Sequence, residues 1–262
     1  MNFKDQKILI TGGSSGIGKA MIAELYGLGA RDIAVMGRDL RKLEALGTAF
    51  PDARFIYLEG NVADLAHIKT AVSRIEQAWN GLDILINNAG VVSAGPLEEI
   101  SDEDIIAMQN INTTGLILLT KYALPLLKKS PEAAIMNVSS GLGLIGMAFY
   151  TPYAATKAAV RQFSEALRRE LADFSIHVMT VYPTATDTPM MQSANATGMD
   201  TPELVASRAI EGLINKEIDV VMGGQAMQQN RQLNFEAPLK LDKKLHERYN
   251  AMKERASGHR AM

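Results

Sequence analysis

Short apolar runs alternate with longer amphipathic segments along most of this chain of 262 residues. The apolar runs are typical of buried strands, and the periodic segments between them are typical of helices. The predicted strands cover 7–10, 33–36, 55–58, 82–86, 134–138, 176–182 and 218–222. Strands that alternate with helices in this way form a parallel sheet covered on both faces. We therefore predict an α/β fold, a doubly wound parallel sheet of about seven strands in a three-layer α/β/α arrangement.

The length and composition predict a single domain that spans 1–262, because 47% of the residues are hydrophobic and can form one large core. A methionine-rich stretch follows Pro183, and we predict a lid over the substrate at about 184–200; a mobile surface loop is the open alternative. Charged and apolar residues alternate at helical spacing towards the end of the chain. This pattern predicts a helical tail at about 237–256, packed on the body or on a partner subunit.

Charge and cysteine usage exclude several classes of function. The net charge of −2 shows no electrostatic footprint for nucleic acid, and the absence of cysteine excludes disulfides and thiolate metal sites. No metal site is predicted. The uncharged run 133–156 is long enough to suggest a membrane span, but it contains Asn137, Ser139 and Pro152, so we reject that interpretation. A polar start without an apolar signal core favours a cytoplasmic protein.

A glycine-rich turn joins the first predicted strand to the first predicted helix. It reads Thr-Gly-Gly-Ser-Ser-Gly-Ile-Gly over 11–18. Glycines let the backbone approach a ligand closely, and a helix start offers free N–H groups and a partial positive charge to a pyrophosphate. The turn predicts a dinucleotide phosphate site, although an ordinary tight connection would also use such glycines.

The end of the second predicted strand is where a dinucleotide site reads the adenosine ribose. Gly37 and Arg38 stand there, in place of a carboxylate that would select NAD. Because a guanidinium pairs bidentately with a 2′-phosphate, Arg38 predicts NADP(H). Asp39 is close enough to keep NAD(H) possible, and Arg38 could instead be a solvated residue before a helix cap.

Asparagines follow the third and fourth predicted strands. Asn61 could contact an adenine ring or form a simple strand-end turn. Asn88, with Ala89 and Gly90, could line a nicotinamide ribose site or hold adjacent strands together, and both roles can coexist.

Tyr153 and Lys157 lie four residues apart at the start of a predicted helix, with Ser140 upstream. Residues four apart share one helix face, so the Lys157 ammonium is expected near the Tyr153 phenol. A nearby cation favours the phenolate, which predicts a pKa of Tyr153 below its usual value and a proton donor or acceptor near neutral pH.

All these motifs fall at the carboxyl end of a predicted strand or in the helix that follows it. In an open parallel sheet these ends share one edge, and ligands bind there. Chance would scatter the motifs over the molecule. Their shared location predicts one site that holds both a dinucleotide and its substrate.

With these motifs in order, 7–189 resembles the classical-type short-chain dehydrogenase/reductase family and its Rossmann-type fold. The resemblance implies that Tyr153 is the general acid/base, that Lys157 lowers its pKa and binds the nicotinamide ribose, and that Ser140 donates to the substrate oxygen. It implies that Asn112 holds a proton-relay water beside the lysine. The predicted cofactor-binding residues are Gly12, Ser14, Ser15, Gly16, Ile17, Gly18, Arg38, Asn61, Val62, Asn88, Ala89, Gly90, Tyr153, Lys157, Pro183, Thr186 and Thr188.

Three positions depart from the family pattern. Asn61 replaces the usual aspartate near adenine, and Thr184 replaces the glycine that usually follows the position of Pro183. The segment after Ile218 lacks the glycine-rich strand of many tetrameric members. The resemblance therefore implies a homodimer and leaves a tetramer in doubt.

The resulting prediction is an oxidoreductase that transfers a hydride between NADP(H) and a carbonyl or secondary alcohol. The substrate pocket is expected to form from 141–151 and the lid, and because both are mostly apolar we predict a small-molecule substrate of moderate hydrophobicity. An NAD-dependent alcohol dehydrogenase of the same family is one alternative. A non-catalytic dinucleotide-sensing or scaffold protein is the alternative from another class.

Overall fold

A seven-stranded, entirely parallel sheet forms the centre of the computed structural model, which describes residues 3–194 and 196–262. The strand order is β3-β2-β1-β4-β6-β7-β8, and a separate antiparallel pair joins β5 to β9. The strands are β1 (Lys7–Thr11), β2 (Asp32–Gly37), β3 (Arg54–Glu59), β4 (Ile84–Asn87), β5 (Val92–Ser93), β6 (Ala133–Val138), β7 (Ile176–Tyr182), β8 (Asp219–Val221) and β9 (Arg260–Ala261). The predicted α/β sheet is confirmed.

Helices cover both faces of this sheet. Their bounds are α1 (Gly16–Gly27), α2 (Leu40–Ala49), α3 (Leu65–Trp79), α4 (Asp102–Gln109), α5 (Leu116–Leu127), α6 (Thr151–Glu170), α7 (Pro202–Ile214), α8 (Gly224–Glu236), α9 (Pro238–His246) and α10 (Tyr249–Ala256). Buried residues of α1, α2 and α7 form one hydrophobic cluster, and those of α3, α5 and α6 form another. Alternate β1 residues face opposite clusters, which explains why Ile8, Leu9 and Ile10 are all fully buried.

Side-chain caps fix several helix starts. Asp39 accepts from the Lys42 N–H, Ser101 accepts from the Asp104 N–H, and Thr201 accepts from the Leu204 N–H. These caps satisfy donors that the first turn of a helix leaves open. The cap at Asp39 also turns its carboxylate towards α2.

Two helical regions differ from the prediction. Between α4 and α5 the chain forms a six-residue π-helix, Asn110–Gly115, a geometry that the helical pattern around Asn112 does not specify. The predicted single tail helix is instead α9 and α10, preceded by the unpredicted α8. The break falls at Arg248, whose φ of −106° and ψ of 10° leave the α-helical region.

Residues 3–194 and 196–262 contain neither a membrane-spanning helix nor a metal-binding cluster. In this part of the chain no helix combines the length and apolarity needed to cross a bilayer. In the same residues no three histidine, cysteine or acidic side chains are grouped in a way that could hold a metal ion.

Candidate active site

A cleft of about 470 Å³ is lined by residues that follow the carboxyl ends of β1, β2, β3, β4, β6 and β7. The predicted residues in its lining are Gly12, Ser14, Ser15, Gly16, Ile17, Arg38, Asn61, Val62, Asn88, Ala89, Gly90, Ser140, Tyr153, Lys157, Pro183, Thr186 and Thr188. Gly18 and Asn112 are predicted site residues that lie outside the lining. The fold thus brings together motifs from most of the chain, as the shared strand edge requires.

The β1–α1 turn uses its glycines for close approach. Gly12 and Gly16 have φ values of +66° and +51°, which glycine adopts without strain. A Cβ on Gly18 would lie 2.4 Å from the Gly12 carbonyl oxygen, so Gly18 allows the helix to pack against the turn. The first turn of α1 receives no side-chain cap from the described residues. Its N–H groups therefore remain available to an anion such as a pyrophosphate.

Asn88 ties β4 to the same turn. Its Nδ2 donates to the carbonyl oxygens of Thr11, at 3.0 Å, and Gly12, at 3.1 Å. In return, the Thr11 hydroxyl accepts from the N–H groups of Asn88 and Ala89, both at 3.0 Å. The strand-joining role of Asn88 is present in the structure, and its contact with a cofactor remains a prediction.

Arg38 and Asp39 follow β2 but play different parts. Arg38 is exposed, lines the cleft, and donates from Nη2 to the main-chain oxygen of Met262 at 3.1 Å. Asp39 does not line the cleft, and its carboxylate caps α2. Of these two side chains, the guanidinium is therefore the one that faces the cleft, and its contact with a cofactor remains a prediction.

Asn61 closes the turn after β3. Its Oδ1 accepts from the Ala63 N–H at 3.0 Å, and its own N–H donates to His67 Nδ1 at 3.3 Å. The turn role is present, and the proposed adenine contact remains a prediction.

Ser140 and Tyr153 meet where the loop after β6 packs against α6. Pro152 stands in the first turn of α6, where proline is well accommodated. Gly143 lies so close to α6 that a Cβ would be 2.6 Å from the Lys157 carbonyl oxygen. A hydrogen bond from the Ser140 side chain reaches the half-buried Tyr153 phenol. Two hydroxyl groups therefore converge on one point of the cleft.

Lys157 is buried beneath this pair, and its effect on Tyr153 differs from the prediction. The ammonium lies 5.7 Å from the Tyr153 ring centroid and donates to the Val138 carbonyl oxygen at 3.0 Å. Burial raises the pKa of Tyr153 to about 12, despite the hydrogen bond from Ser140. Burial also lowers the pKa of Lys157 to about 8. The expected decrease in the pKa of Tyr153 is therefore not found, because removal of the phenol from water outweighs the hydrogen bond from Ser140.

Asn112 lies behind the lining, in the π-helix. Its amide exchanges two hydrogen bonds with the main chain of Val91, at 2.8 and 2.9 Å, and donates to Thr156 Oγ1 at 3.1 Å. Both N–H groups of the amide are thus used. The π-helix turns a buried asparagine towards the cleft wall, where it fixes the loop after β4 against α6. A water held beside the lysine remains a prediction.

The predicted lid is a loop that is closed at its base. Thr186 pairs with Asp200 in an isolated bridge, and the Thr184 hydroxyl donates to the Asp200 carboxylate. Pro189–Met191 forms a short 3-10 turn in the middle. Met190 and Met191 line the cleft, whereas Asn195 lies outside the described residues.

The family model for short chain dehydrogenases matches residues 6–198, well over half of the chain. The chain belongs to this short-chain dehydrogenase family. Its relatives include the 2,5-dichloro-2,5-cyclohexadiene-1,4-diol dehydrogenase of Sphingobium indicum, 36% identical over 221 residues that cover 82% of this chain and 85% of the relative. They also include the 3-dehydrosphinganine reductase of Danio rerio, 31% identical over 79% of this chain and 68% of the relative.

A solved structure supports the same assignment. A short-chain dehydrogenase of Burkholderia cenocepacia J2315 in complex with NADP superposes with a TM-score of 0.82. The two sequences are 25% identical, and the match covers 94% of this chain and 99% of the other. The chain is thus an oxidoreductase of the short-chain dehydrogenase type.

The sequence analysis missed a wall of the cleft in this short-chain dehydrogenase. The residues absent from the prediction include Met227, Arg255 and His259. The His259 ring bridges Tyr150 and the lid, with Nδ1 2.9 Å from the Tyr150 hydroxyl and Nε2 3.0 Å from the Met190 carbonyl oxygen. Because a carbonyl oxygen only accepts, Nε2 carries the proton and Nδ1 accepts from Tyr150. Burial lowers the pKa of His259, which favours this neutral tautomer.

The neighbouring Arg260 anchors the same segment. Its guanidinium donates to both carboxylate oxygens of Asp104, at 2.7 and 2.8 Å, and lowers the pKa of that carboxyl group. Arg260 also belongs to β9, which pairs with β5. These partners lie far apart in the chain, so no local sequence pattern could have revealed them.

Proposed function

We propose that this short-chain dehydrogenase is an NADP(H)-dependent enzyme that interconverts a carbonyl compound and a secondary alcohol. The observation that carries the proposal is that the Ser140 and Tyr153 hydroxyl groups converge in the cleft that the β1–α1 turn and Arg38 also line. The open helix start and the two glycines with positive φ fit a dinucleotide pyrophosphate. The proposed cofactor residues are the cofactor-binding residues predicted from the sequence, all of which line the cleft except Gly18, which supports the turn.

The preference for NADP(H) rests on the end of β2. Arg38 faces the cleft and can pair with a 2′-phosphate, while Asp39 is engaged as a helix cap. The NADP complex of the Burkholderia neighbour supports this choice. An NAD-dependent alcohol dehydrogenase would instead use a carboxylate at this edge, and Asp39 is the side chain that would have to turn towards the cleft.

A bound nicotinamide would supply or accept the hydride, and the side chains of this chain would manage the charge and the proton. In reduction, the hydroxyl groups of Ser140 and Tyr153 donate to the carbonyl oxygen, where negative charge develops. Tyr153 then passes its proton to that oxygen. The raised pKa keeps this phenol protonated and suits it to the role of an acid. The Lys157 ammonium, 5.7 Å from the ring centroid, stabilises the resulting phenolate.

Removing the phenol oxygen tests this assignment. We expect Tyr153→Phe to lose at least about two orders of magnitude in kcat, the usual scale for a group that transfers a proton. The absorbance of reduced nicotinamide follows turnover over a panel of carbonyls and alcohols. Tyr26→Phe is the matched control, because Tyr26 bonds to Asp52 and does not line the cleft.

The outcomes separate this enzyme from a sensor or scaffold. Near-normal turnover by Tyr153→Phe would contradict the role of the phenol. Tight dinucleotide binding by the wild-type protein, with no turnover over a broad panel, would favour the non-catalytic alternative.

A homodimer remains part of the proposal, and sedimentation of the purified protein tests it.

A further inference from the structure

The charges that line the cleft are all positive. Arg38, Lys157 and Arg255 belong to the lining, and none of the described lining residues is an aspartate or glutamate. The whole chain carries a net charge of −2, so this is a local concentration of positive charge. A cleft lined by one sign of charge favours ligands of the opposite sign.

Two of these cations have roles in the proposed reaction. Arg38 follows β2, at the end of the cleft proposed for the adenosine ribose. Lys157 is buried beneath Tyr153 and donates to Val138. Arg255 comes from α10, and its guanidinium lies 5.9 Å from the centroid of the Tyr150 ring. Tyr150 packs in the same cluster as Tyr153 and Leu142, so Arg255 stands at the substrate end, where neither the cofactor nor the proton transfer requires a cation.

Arg255 differs from Arg260 in its partners. Arg260 is neutralised by the bidentate contact with Asp104. Arg255 forms no ion pair with any described carboxylate, and its side chain instead shares a hydrogen bond with the Tyr150 hydroxyl. Because no carboxylate neutralises it, the guanidinium keeps its full charge for an anion that enters the cleft.

The backbone around Arg255 is held from both sides of the cleft. Ala256 is fully buried and packs with Val92 and Tyr150. His259 bonds to Tyr150, and Arg260 bonds to Asp104. A guanidinium on such a fixed segment loses little freedom when it binds a ligand, which favours recognition.

We propose that Arg255 binds an acidic group of the substrate, a carboxylate or a phosphate ester, while the carbonyl of the same molecule lies at Ser140 and Tyr153. The inference rests on the proposed function and narrows its substrate class. Between the two ends the cleft presents apolar side chains, Leu142, Met147, Met190, Met191 and Met227. The substrate is thus an oxo acid, an oxo phosphate ester or the corresponding hydroxy compound, with an apolar stretch between its polar ends.

Matched substrates with and without the charge test this proposal. The wild-type enzyme is assayed with straight-chain oxo acids and their methyl esters, and with oxo phosphate esters and the corresponding uncharged oxo alcohols. We expect kcat/KM to be at least about tenfold higher for the charged member of the preferred pair. A preference within the first pair identifies a carboxylate, and a preference within the second identifies a phosphate.

Variants assign the effect to one side chain. We expect Arg255→Met to lose about 10- to 100-fold in kcat/KM for the charged substrate, mainly through KM, and to lose much less for the uncharged substrate. Arg255→Lys should lie between the two, because an ammonium keeps the charge but not the planar fork. Arg248→Met is the matched control on the same segment, since Arg248 is exposed and outside the lining.

A binding measurement separates this proposal from the proposed function. The dissociation constant of the charged substrate is measured by calorimetry on Tyr153→Phe with NADPH bound, with and without Arg255→Met. Weaker binding on loss of Arg255 supports the acidic-group site even if no variant turns over. The proposal would be overturned by equal losses for charged and uncharged substrates or by no preference for the charged substrate in the wild type. It would also be overturned if neither the oxo acids nor the oxo phosphate esters bind.

Discussion

Burial shifts the pKa values of Tyr153 and Lys157, the paired residues of the candidate active site, in opposite directions. It raises the pKa of Tyr153 to about 12 and lowers the pKa of Lys157 to about 8, because both side chains lose water around their charged forms. The tyrosine of the unliganded protein therefore keeps its proton through the neutral range. The lysine instead loses its proton within reach of experiment.

The lowered pKa of Lys157 predicts how stability depends on pH. Between about pH 8 and the ordinary lysine value of 10.5, the unfolded chain binds a proton that the folded chain has released. Stability rises with pH wherever the unfolded state binds more protons, so this lysine should make the wild type more stable as the pH increases. Integration from about pH 8 to about pH 10 gives about 2 kcal/mol. Urea unfolding of the wild type and of Lys157→Met at both pH values measures the difference.

Lys157→Met lacks this lysine but keeps the other titratable groups. Subtracting its free energy of unfolding from that of the wild type therefore isolates the contribution of Lys157. The raised pKa of Tyr153 acts in the opposite direction only above its ordinary value of 10, where the folded state holds the extra proton. The measurement therefore ends at about pH 10. If the difference in the free energy of unfolding between the two proteins does not change with pH, Lys157 titrates normally in the folded state.

At the scale of elements, the β1–α1 unit shows how local sequence positions a binding site. Gly18 lies against the turn, since a Cβ would be 2.4 Å from the Gly12 carbonyl oxygen and 2.5 Å from Asn88 Nδ2. Gly27, at the other end of α1, has no atom within 4 Å of the corresponding Cβ position. The two glycines therefore give opposite predictions for the same substitution.

We expect Gly18→Ala to destabilise the protein by about 1–3 kcal/mol and to weaken dinucleotide binding, because the helix start must move away from the turn. Gly27→Ala should leave binding unchanged and stabilise the helix by up to about 1 kcal/mol. Urea unfolding and NADPH fluorescence titration measure both effects. Unchanged NADPH affinity in Gly18→Ala would show that the turn tolerates displacement and that the close approach is not needed for the cofactor.

The elements of the site differ in how well the local sequence predicts them. Strand, turn and helix follow one another within a few residues around Gly12, so local pattern was enough to place the phosphate site. The π-helix at Asn112 leaves only a weak signal, an asparagine in a helix interior, and that signal does not specify the geometry. The direction of the pKa of Tyr153 depends on how many atoms surround the phenol, and helical spacing does not report this.

At the scale of the whole molecule, the unpredicted part of the site comes from pairings across the chain. Arg260 and Asp104 are 156 positions apart, and Arg38 and Met262 are 224 positions apart. Such contacts depend on how the finished sheet places its edges, so no window of the sequence contains them. The cleft is consequently bounded by the first strand and by the last described residues together.

Because residues from both ends of the described chain bound the cleft, we expect cofactor binding to stabilise the whole molecule in one unfolding transition. A ligand at 100 times its Kd adds about 2.7 kcal/mol, and each kcal/mol moves the Tm of a chain of this size by about 2–4 °C. We therefore expect NADPH to raise Tm by about 5–10 °C in a single calorimetric transition, and NADH to raise it less at the same concentration.

Arg38→Ala should remove most of the difference in Tm shift between the two cofactors, because the 2′-phosphate loses its partner. Arg41→Ala is the matched control, since Arg41 is exposed on α2 and outside the cleft lining. Two separate transitions, only one of them sensitive to NADPH, would contradict a single domain, and equal shifts with both cofactors in the wild type would contradict the preference for NADP(H).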